Sequence, residues 1–294
     1  MNYVPEKQVI KEPETSGRSE HAIKVHGSVD LSFKKSGEIT SLDKLYYHDP
    51  MKVLFPHAQK QDPITAAIVT TGGGLFGGDR YELDITLAEN TEAVVTAQAA
   101  EKIYKTSGPD CLVNIDLNVD NEARLEWLPQ ETIVFDKARF RRKTCLNLMS
   151  NSQVLAGEFL VFGRLASGET LKEGLIREEW DISVDGQQVW ADALHLEGDL
   201  QEVLNHPAAF NNAKAIATCI YYDLEAEGFV EEARDFLDEN EKVRSAISFV
   251  NGILICRWLA EDPYVLRKAY GSFWTRMRQK TMGRADRLPR LWYC

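Results

Sequence analysis

A mainly β fold of stacked sheets, a β-sandwich or β-helix-like arrangement with two helices in its C-terminal third, is what this sequence predicts. Three observations lead there. Apolar and polar residues alternate with strand period in short runs through the first two thirds of the 294 residues. A strand–turn–strand template recurs near the middle of the chain. The last third then changes to apolar residues three and four apart, the period of a helix.

Taken in order, residues 1–20 carry Pro5, Pro13, Ser16, Gly17 and many charges, and read as a loose N-terminal arm. Residues 21–294 read as one domain. Val29, Leu31 and Phe33 alternate as a strand, and Gly37 punctuates it. Ile64–Thr70 reads as another strand. Tyr81, Leu83, Ile85 and Leu87 alternate, as do Val113, Ile115, Leu117 and Val119. Three copies of the template follow one another: Ile85–Ala93, Ile115–Ala123 and Leu146–Val154, offset by 30 and 31 residues. Units that cannot bury a face alone stack into layers. Trp180, Ile182 and Val184 alternate before Asp185-Gly186, a two-residue hairpin signal leading into Gln187–Leu196.

Further on, Lys214–Tyr222 fits a strand or a helix, and Gly228–Glu241 has helical spacing. Asn251-Gly252, between two apolar runs, predicts a second tight hairpin. Asp262-Pro263 supplies an N-cap and a first-turn proline for a helix whose apolar face includes Ala269, Tyr270, Phe273 and Met277. Arg276, Arg278, Lys280, Arg284, Arg287 and Arg290 make a basic C-terminal stretch, expected to complement the helix end and continue as a solvated tail.

Composition narrows the function. There are 34 Lys and Arg against 45 Asp and Glu, a net charge of −11 that repels a phosphate backbone and argues against nucleic acid. No long uncharged apolar run is present, so no membrane span is expected. The opening residues lack the apolar stretch of a signal peptide. Five dispersed cysteines, Cys111, Cys145, Cys219, Cys256 and Cys294, fit reduced thiols in the cytoplasm better than a disulfide framework. The six histidines show no HxH or HxxxH spacing, so a structural zinc site is not expected.

The glycine loop Gly72–Asp79 (GGGLFGGD) matches GxGxxG formally and follows a strand. A dinucleotide site needs a helix next, whereas Tyr81–Leu87 has strand period. The lysine of a phosphate loop is missing, and Asp79 places negative charge where a phosphate would lie. A backbone connection that requires glycine is the better reading. In Leu125–Phe135 (LEWLPQETIVF), Pro129 marks a bend, Trp127 is a core candidate, and Glu131 is a carboxylate that could face a channel or a metal. Gly163–Glu169 (GRLASGE) lacks the full nucleophile-elbow pattern around Ser167. Asp192 and His195 fall on opposite faces of one strand; Asp192 is a weaker metal candidate and His195 a structural one.

Taken together, GGGLFGGD, Thr96–Tyr104 (TAQAAEKIY), LEWLPQETIVF, GRLASGE and the ending Pro289-Arg290-Leu291-Trp292 resemble the UreD, or UreH, family of urease accessory proteins. They occur in the family's order from about residue 25 onward. Departures are Gly74 and Phe76 in the loop and Ala100-Glu101 where the family often has two small residues. The resemblance implies a non-enzymatic metallochaperone scaffold with a mostly β fold and two helices. It implies a hetero-complex with UreF and the GTPase UreG that binds the urease apoprotein and helps insert nickel. It implies no tightly bound cofactor, only nickel in transit through channels, with Asp79, Glu131 and Asp192 as candidate path carboxylates. Carboxylates are hard ligands that hold nickel loosely, as transit requires. The runner-up is a β-rich enzyme using carboxylates on a small substrate. An enzyme should be soluble and active alone, whereas a scaffold with a partner-facing apolar patch should need its partner.

Overall fold

The computed structural model describes residues 24–237 and 240–293. The expected arm at residues 1–20 lies outside them. Alternation sorts the strands into two sheets. The first runs, edge to edge, β2 (Ile39–His48), β1 (His26–Ser36), β5 (Arg80–Leu87), β8 (Cys111–Val119), β11 (Arg139–Leu148), β13 (Glu173–Val184) and β14 (Gln187–Asp199). The second runs β3 (Met51–Leu54), β4 (Ile64–Thr70), β6 (Glu92–Ala97), β9 (Arg124–Leu128), β12 (Gln153–Phe162), β15 (Ala215–Tyr222), β17 (Ile253–Ala260) and β16 (Val243–Val250). Short strands β7 (Glu101–Ile103) and β10 (Thr132–Val134) pair with each other, and β10 also pairs with the end of β12.

From β4 to β13 the chain passes back and forth between the sheets, so neighbours within each sheet are parallel. This is a solenoid of stacked coils with antiparallel hairpins at its ends. Register shows how the repeat works. Ile85 lies beside Leu117, Leu117 beside Leu146, and Leu146 beside Ile182, giving coils of 32, 29 and 36 residues. The expected offsets of 30 and 31 therefore slip the middle copy by two residues. A two-residue slip leaves every side chain on its own face, so alternation alone does not detect it.

Both predicted tight hairpins form. Asp185 and Gly186 have φ of 50° and 77°, and Asn251 and Gly252 have 49° and 86°, the positive pairs that match strand twist. Lys214–Tyr222 resolves as strand β15. Three helices are described: α1 (Gln201–Asn205), a single turn not anticipated; α2 (Val230–Asp235), shorter than the expected Gly228–Glu241; and α3 (Pro263–Met282). Asp262 caps α3 by accepting from the Tyr264 amide at 2.8 Å, and Gly283 closes it at φ 63°.

The packing has three layers. Inward residues such as Phe33, Ile85, Leu117, Trp127 and Phe162 fill the space between the sheets. The far side of the second sheet packs against α3, through Cys219, Trp258, Phe273, Trp274 and Met277. β12 is thus buried along its whole length, whereas the outer face of the first sheet alternates toward solvent. Trp127 fills the core as expected.

The basic C-terminal stretch departs from expectation. Arg278 is fully buried: it pairs with Glu126 at 2.8 Å and Asp62 at 2.9 Å and donates to the carbonyls of Ala285 and Arg287. Arg284 pairs with Glu92 at 2.6 Å. Buried carboxylates on the second sheet need counter-ions, and the helix and tail supply them.

Candidate functional site

Four of the five sequence motifs, all but the ending Pro289–Trp292, converge at one corner of the solenoid. Each is the connection, or runs into the connection, by which a coil crosses from the second sheet to the first. The corners stack through backbone bonds. The Leu75 amide donates to the Lys102 carbonyl at 2.8 Å, and the Tyr104 amide donates to the Leu75 carbonyl at 2.8 Å. The Phe135 amide reaches Ile103 at 3.0 Å, and the Gly163 amide reaches Val134 at 2.7 Å. Gly74 sits at φ 139° where an added Cβ would collide with the Lys102 carbonyl, so this connection requires glycine. Aromatic rings follow the same stack. Phe76 lies flat on Tyr104, with centroids 4.5 Å apart, Tyr104 meets Phe135 edge-on at 5.0 Å, and the Arg164 guanidinium lies over Phe135 at 5.0 Å.

Behind this corner a polar seam enters the core between the sheets. Glu101 of β7 accepts from the Thr70 hydroxyl at 2.8 Å and stands in register with Thr132 of β10. Thr132 accepts from Arg142 at 3.0 Å. Arg142, on the inward face of β11, grips Glu178 of β13 with two bonds of 2.6 and 2.7 Å. It also lies 3.5 Å from Glu158 of β12, across the gap from the opposite sheet. Glu158 and Glu178 thus share one interior guanidinium, and Glu101 feels its charge from the edge of the seam. Burial pushes the carboxyls of Glu101, Glu158 and Glu178 above their ordinary value, Glu178 to about 8, with Arg142 opposing the shift. Glu158 Oε2 and Trp180 Nε1, both buried in the seam, make no well-formed hydrogen bond; the oxygen has Arg142 at 3.5 Å and the indole N–H faces the same carboxylate.

The three carboxylates singled out by sequence lie apart. Asp79 is buried at the end of the glycine loop, and its two oxygens accept from the backbone amides of Val25 at 3.0 Å and Phe76 at 2.8 Å. It ties the start of β1 to the corner, and its charge acts with that of Glu101 on Tyr81 and Cys111, whose ionisation burial already disfavours. Glu131 pairs with Arg267 of α3, and the neighbouring Gln130 donates to the Leu291 carbonyl at 2.7 Å. Arg267 in turn lies 4.2 Å over Trp292. With Glu126 on Arg278, the polar residues of LEWLPQE all fasten the C-terminal helix and tail. Asp192 faces inward at the rim of the seam, paired with Arg257 at 2.6 Å, and its charge is felt by Glu158. His195 lies on the outer face, opposite to Asp192 as the strand period predicts. Among the described residues no group of three or more His, Cys, Asp or Glu is arranged to hold a metal ion. The four described cysteines are free.

Sequence reasoning missed Glu101, Arg142, Glu158 and Glu178 as a group. The signal was present as phase: each of the last three occupies an inward, otherwise apolar position of its strand.

Comparison with known proteins gives one consistent answer. The family model described as UreD urease accessory protein matches residues 25–293. A protein of Magnetococcus marinus named urease accessory protein UreD is 44% identical over 272 residues, covering 91% of this chain and 94% of its own. A protein of the same name from Rhodopseudomonas palustris strain BisB5 is 35% identical, covering 92% and 93%. Urease accessory protein UreD 3 of Methylorubrum extorquens is 35% identical, covering 90% and 89%. Among the described residues no helix is long and apolar enough to cross a membrane.

Proposed function

The chain belongs to the UreD family of urease accessory proteins, and from that premise we propose that it is a metallochaperone scaffold that helps load urease with nickel. In this reading it assembles in the cytoplasm with UreF, the GTPase UreG and the urease apoprotein. Nickel is cargo passing through, and GTP belongs to the partner.

The observation that supports a metal path is the seam. Two carboxylates buried in a hydrophobic core, Glu158 and Glu178, with Glu101 half-buried at its edge, are costly to keep there, and Arg142 compensates them incompletely. The Glu158 carboxylate faces Arg142 at 3.5 Å and the Trp180 indole N–H, and its Oε2 lacks a well-formed hydrogen bond, so it has capacity left for a water or a cation. Carboxylate oxygens bind nickel weakly enough to release it, and no set of thiolates or imidazoles stands by to trap it among the described residues. Asp192 would serve the exposed rim. Asp79 and Glu131 would act from the corner, the one beside Tyr81 and Cys111, the other where the C-terminal tail is fastened.

The test replaces Glu158 and Glu178 together by glutamine, which keeps shape and removes charge. The accessory complex should assemble while the nickel content of urease falls. Full nickel loading with an intact complex would defeat the reading. If the double variant fails to fold, Asp192→Ala at the exposed rim asks the same question without touching the core.

A further inference from the structure

We propose that Arg142 is a tethered counter-ion that keeps nickel from settling in the seam, so that its removal turns a route into a trap. The inference rests on the seam being the nickel route, and assigns the part the arginine plays there.

The guanidinium stands where a bridging cation would stand. Its Nη2 lies 2.7 Å from Glu178 Oε2 of the first sheet and 3.5 Å from Glu158 Oε2 of the second. Nε donates to the other oxygen of Glu178 at 2.6 Å, and Nη1 donates to the Thr132 hydroxyl at 3.0 Å. The group lies 5.5 Å over the ring of Phe140, two residues back on the same face of β11. These contacts fix the side chain from three elements. Nη2 therefore stands in for a hard cation held between two carboxylates. Small divalent cations sit about 2.0–2.2 Å from carboxylate oxygens. A metal ion drawing both carboxylates to that distance and Nη2 cannot occupy this point together.

A cation that enters must push the guanidinium aside and then remain beside it. Positive charges a few ångströms apart in a poorly screened interior repel strongly. When the metal moves on, the side chain returns without diffusion, because it is fixed to β11. Glu158 and Glu178 are then not left bare in the core. The arginine thus weakens the hold on the cargo and clears the route after each passage. Without it, two buried carboxylates would carry the two charges of one divalent ion, with the buried Thr132 hydroxyl beside them.

The experiment offers nickel chloride alone to the full chain near neutral pH, with equilibrium dialysis and thermal melting as readouts. Arg142→Leu should bind nickel about a hundredfold more tightly than the unaltered chain, and nickel should raise its melting temperature by more. Arg142→Lys keeps a tethered charge and should behave as the unaltered chain does. Adding Glu158→Gln and Glu178→Gln to Arg142→Leu should abolish the gain, which separates the seam from nickel held by surface histidines. Should Arg142→Leu fold poorly, Arg142→Gln removes the same charge, keeps polar contacts and carries the same expectation. The proposal is overturned if the unaltered chain and the neutral variant hold nickel equally, if Arg142→Lys traps it, or if the gain survives loss of both glutamates. The nickel content of urease in the double glutamine variant tests the route itself. A working route with no trap on removal of Arg142 therefore refutes this inference alone.

Discussion

Replacing Arg278 by methionine removes a cation that lies wholly inside the contact between α3 and the second sheet. Glu126 and Asp62, with side chains 1% and 2% exposed, then lose their nearest guanidinium, and the carbonyls of Ala285 and Arg287 lose their donor. Removing one partner of a buried ion pair costs about 3–5 kcal/mol, because the other charge loses its closest counter-ion; Glu126 keeps only Arg284, at 3.6 Å, and the Trp274 indole. A domain of this size loses about 2 °C in melting temperature per kcal/mol, so the expected fall is about 6–10 °C. The companion variant Glu126→Gln with Arg278→Met no longer strands Glu126 and should melt above Arg278→Met alone, in spite of carrying one more substitution. Thermal unfolding followed by circular dichroism reads both. The account of the ion pairs under α3 fails if Arg278→Met melts within about 2 °C of the unaltered chain, or if the two substitutions simply add.

Burial, joined by the mutual repulsion of Glu158 and Glu178, holds this pair of carboxyls above an ordinary 4.5, so the folded pair keeps a proton that the unfolded chain releases. That contribution to stability is complete below the ordinary value and is lost as pH rises toward 8; Glu178→Gln should flatten the loss, and urea melts at pH 5 and pH 8 that show the same slope in both proteins would contradict this. Gly74→Ala, with positive φ and the Lys102 carbonyl in its way, should destabilise by more than about 2 kcal/mol, whereas Gly168→Ala, at φ 74° in open space, should cost about 1; equal costs in denaturant melts would refute the steric argument. Asp192→Ala breaks a largely exposed pair with Arg257 and should change stability by less than about 1 kcal/mol, as a melting curve will show. The isolated chain should bind no GTP by calorimetry, since the glycine loop runs into strand β5 and its carboxylate is engaged by backbone amides.

The strands were legible because their alternation is unbroken: Tyr81 to Leu87 and Val113 to Val119 form inward rows as read. Coil lengths were not, because residues that differ by two positions are equivalent in a period of two. Motif chemistry was legible in part. The strand that follows GxGxxG was visible in sequence, and it forms as β5. The partners of LEWLPQE were not, for Glu126 and Arg278 are 152 residues apart and a single chain does not show which distant charges meet. The interior seam left a trace that pattern reading passes over. Trp180, Ile182 and Val184 mark the inward phase of β13, and one step back on that phase stands Glu178. Arg142 and Glu158 break the apolar phase of β11 and β12 in the same way. A charge in phase with the core needs a partner of opposite sign in phase with a facing strand.

Because each coil touches only the coil before and after it, the molecule need not loosen all at once. β12, covered on one side by the first sheet and on the other by α3, belongs to the unit that opens last, and its amides should exchange with solvent only through complete unfolding. β2 and β14 end the first sheet with hydrogen bonds on one side only and should open first, separately from one another. A heating curve of the whole chain would average these events into a broadened transition. Amide exchange resolved by strand would separate them into steps ordered by distance from β12.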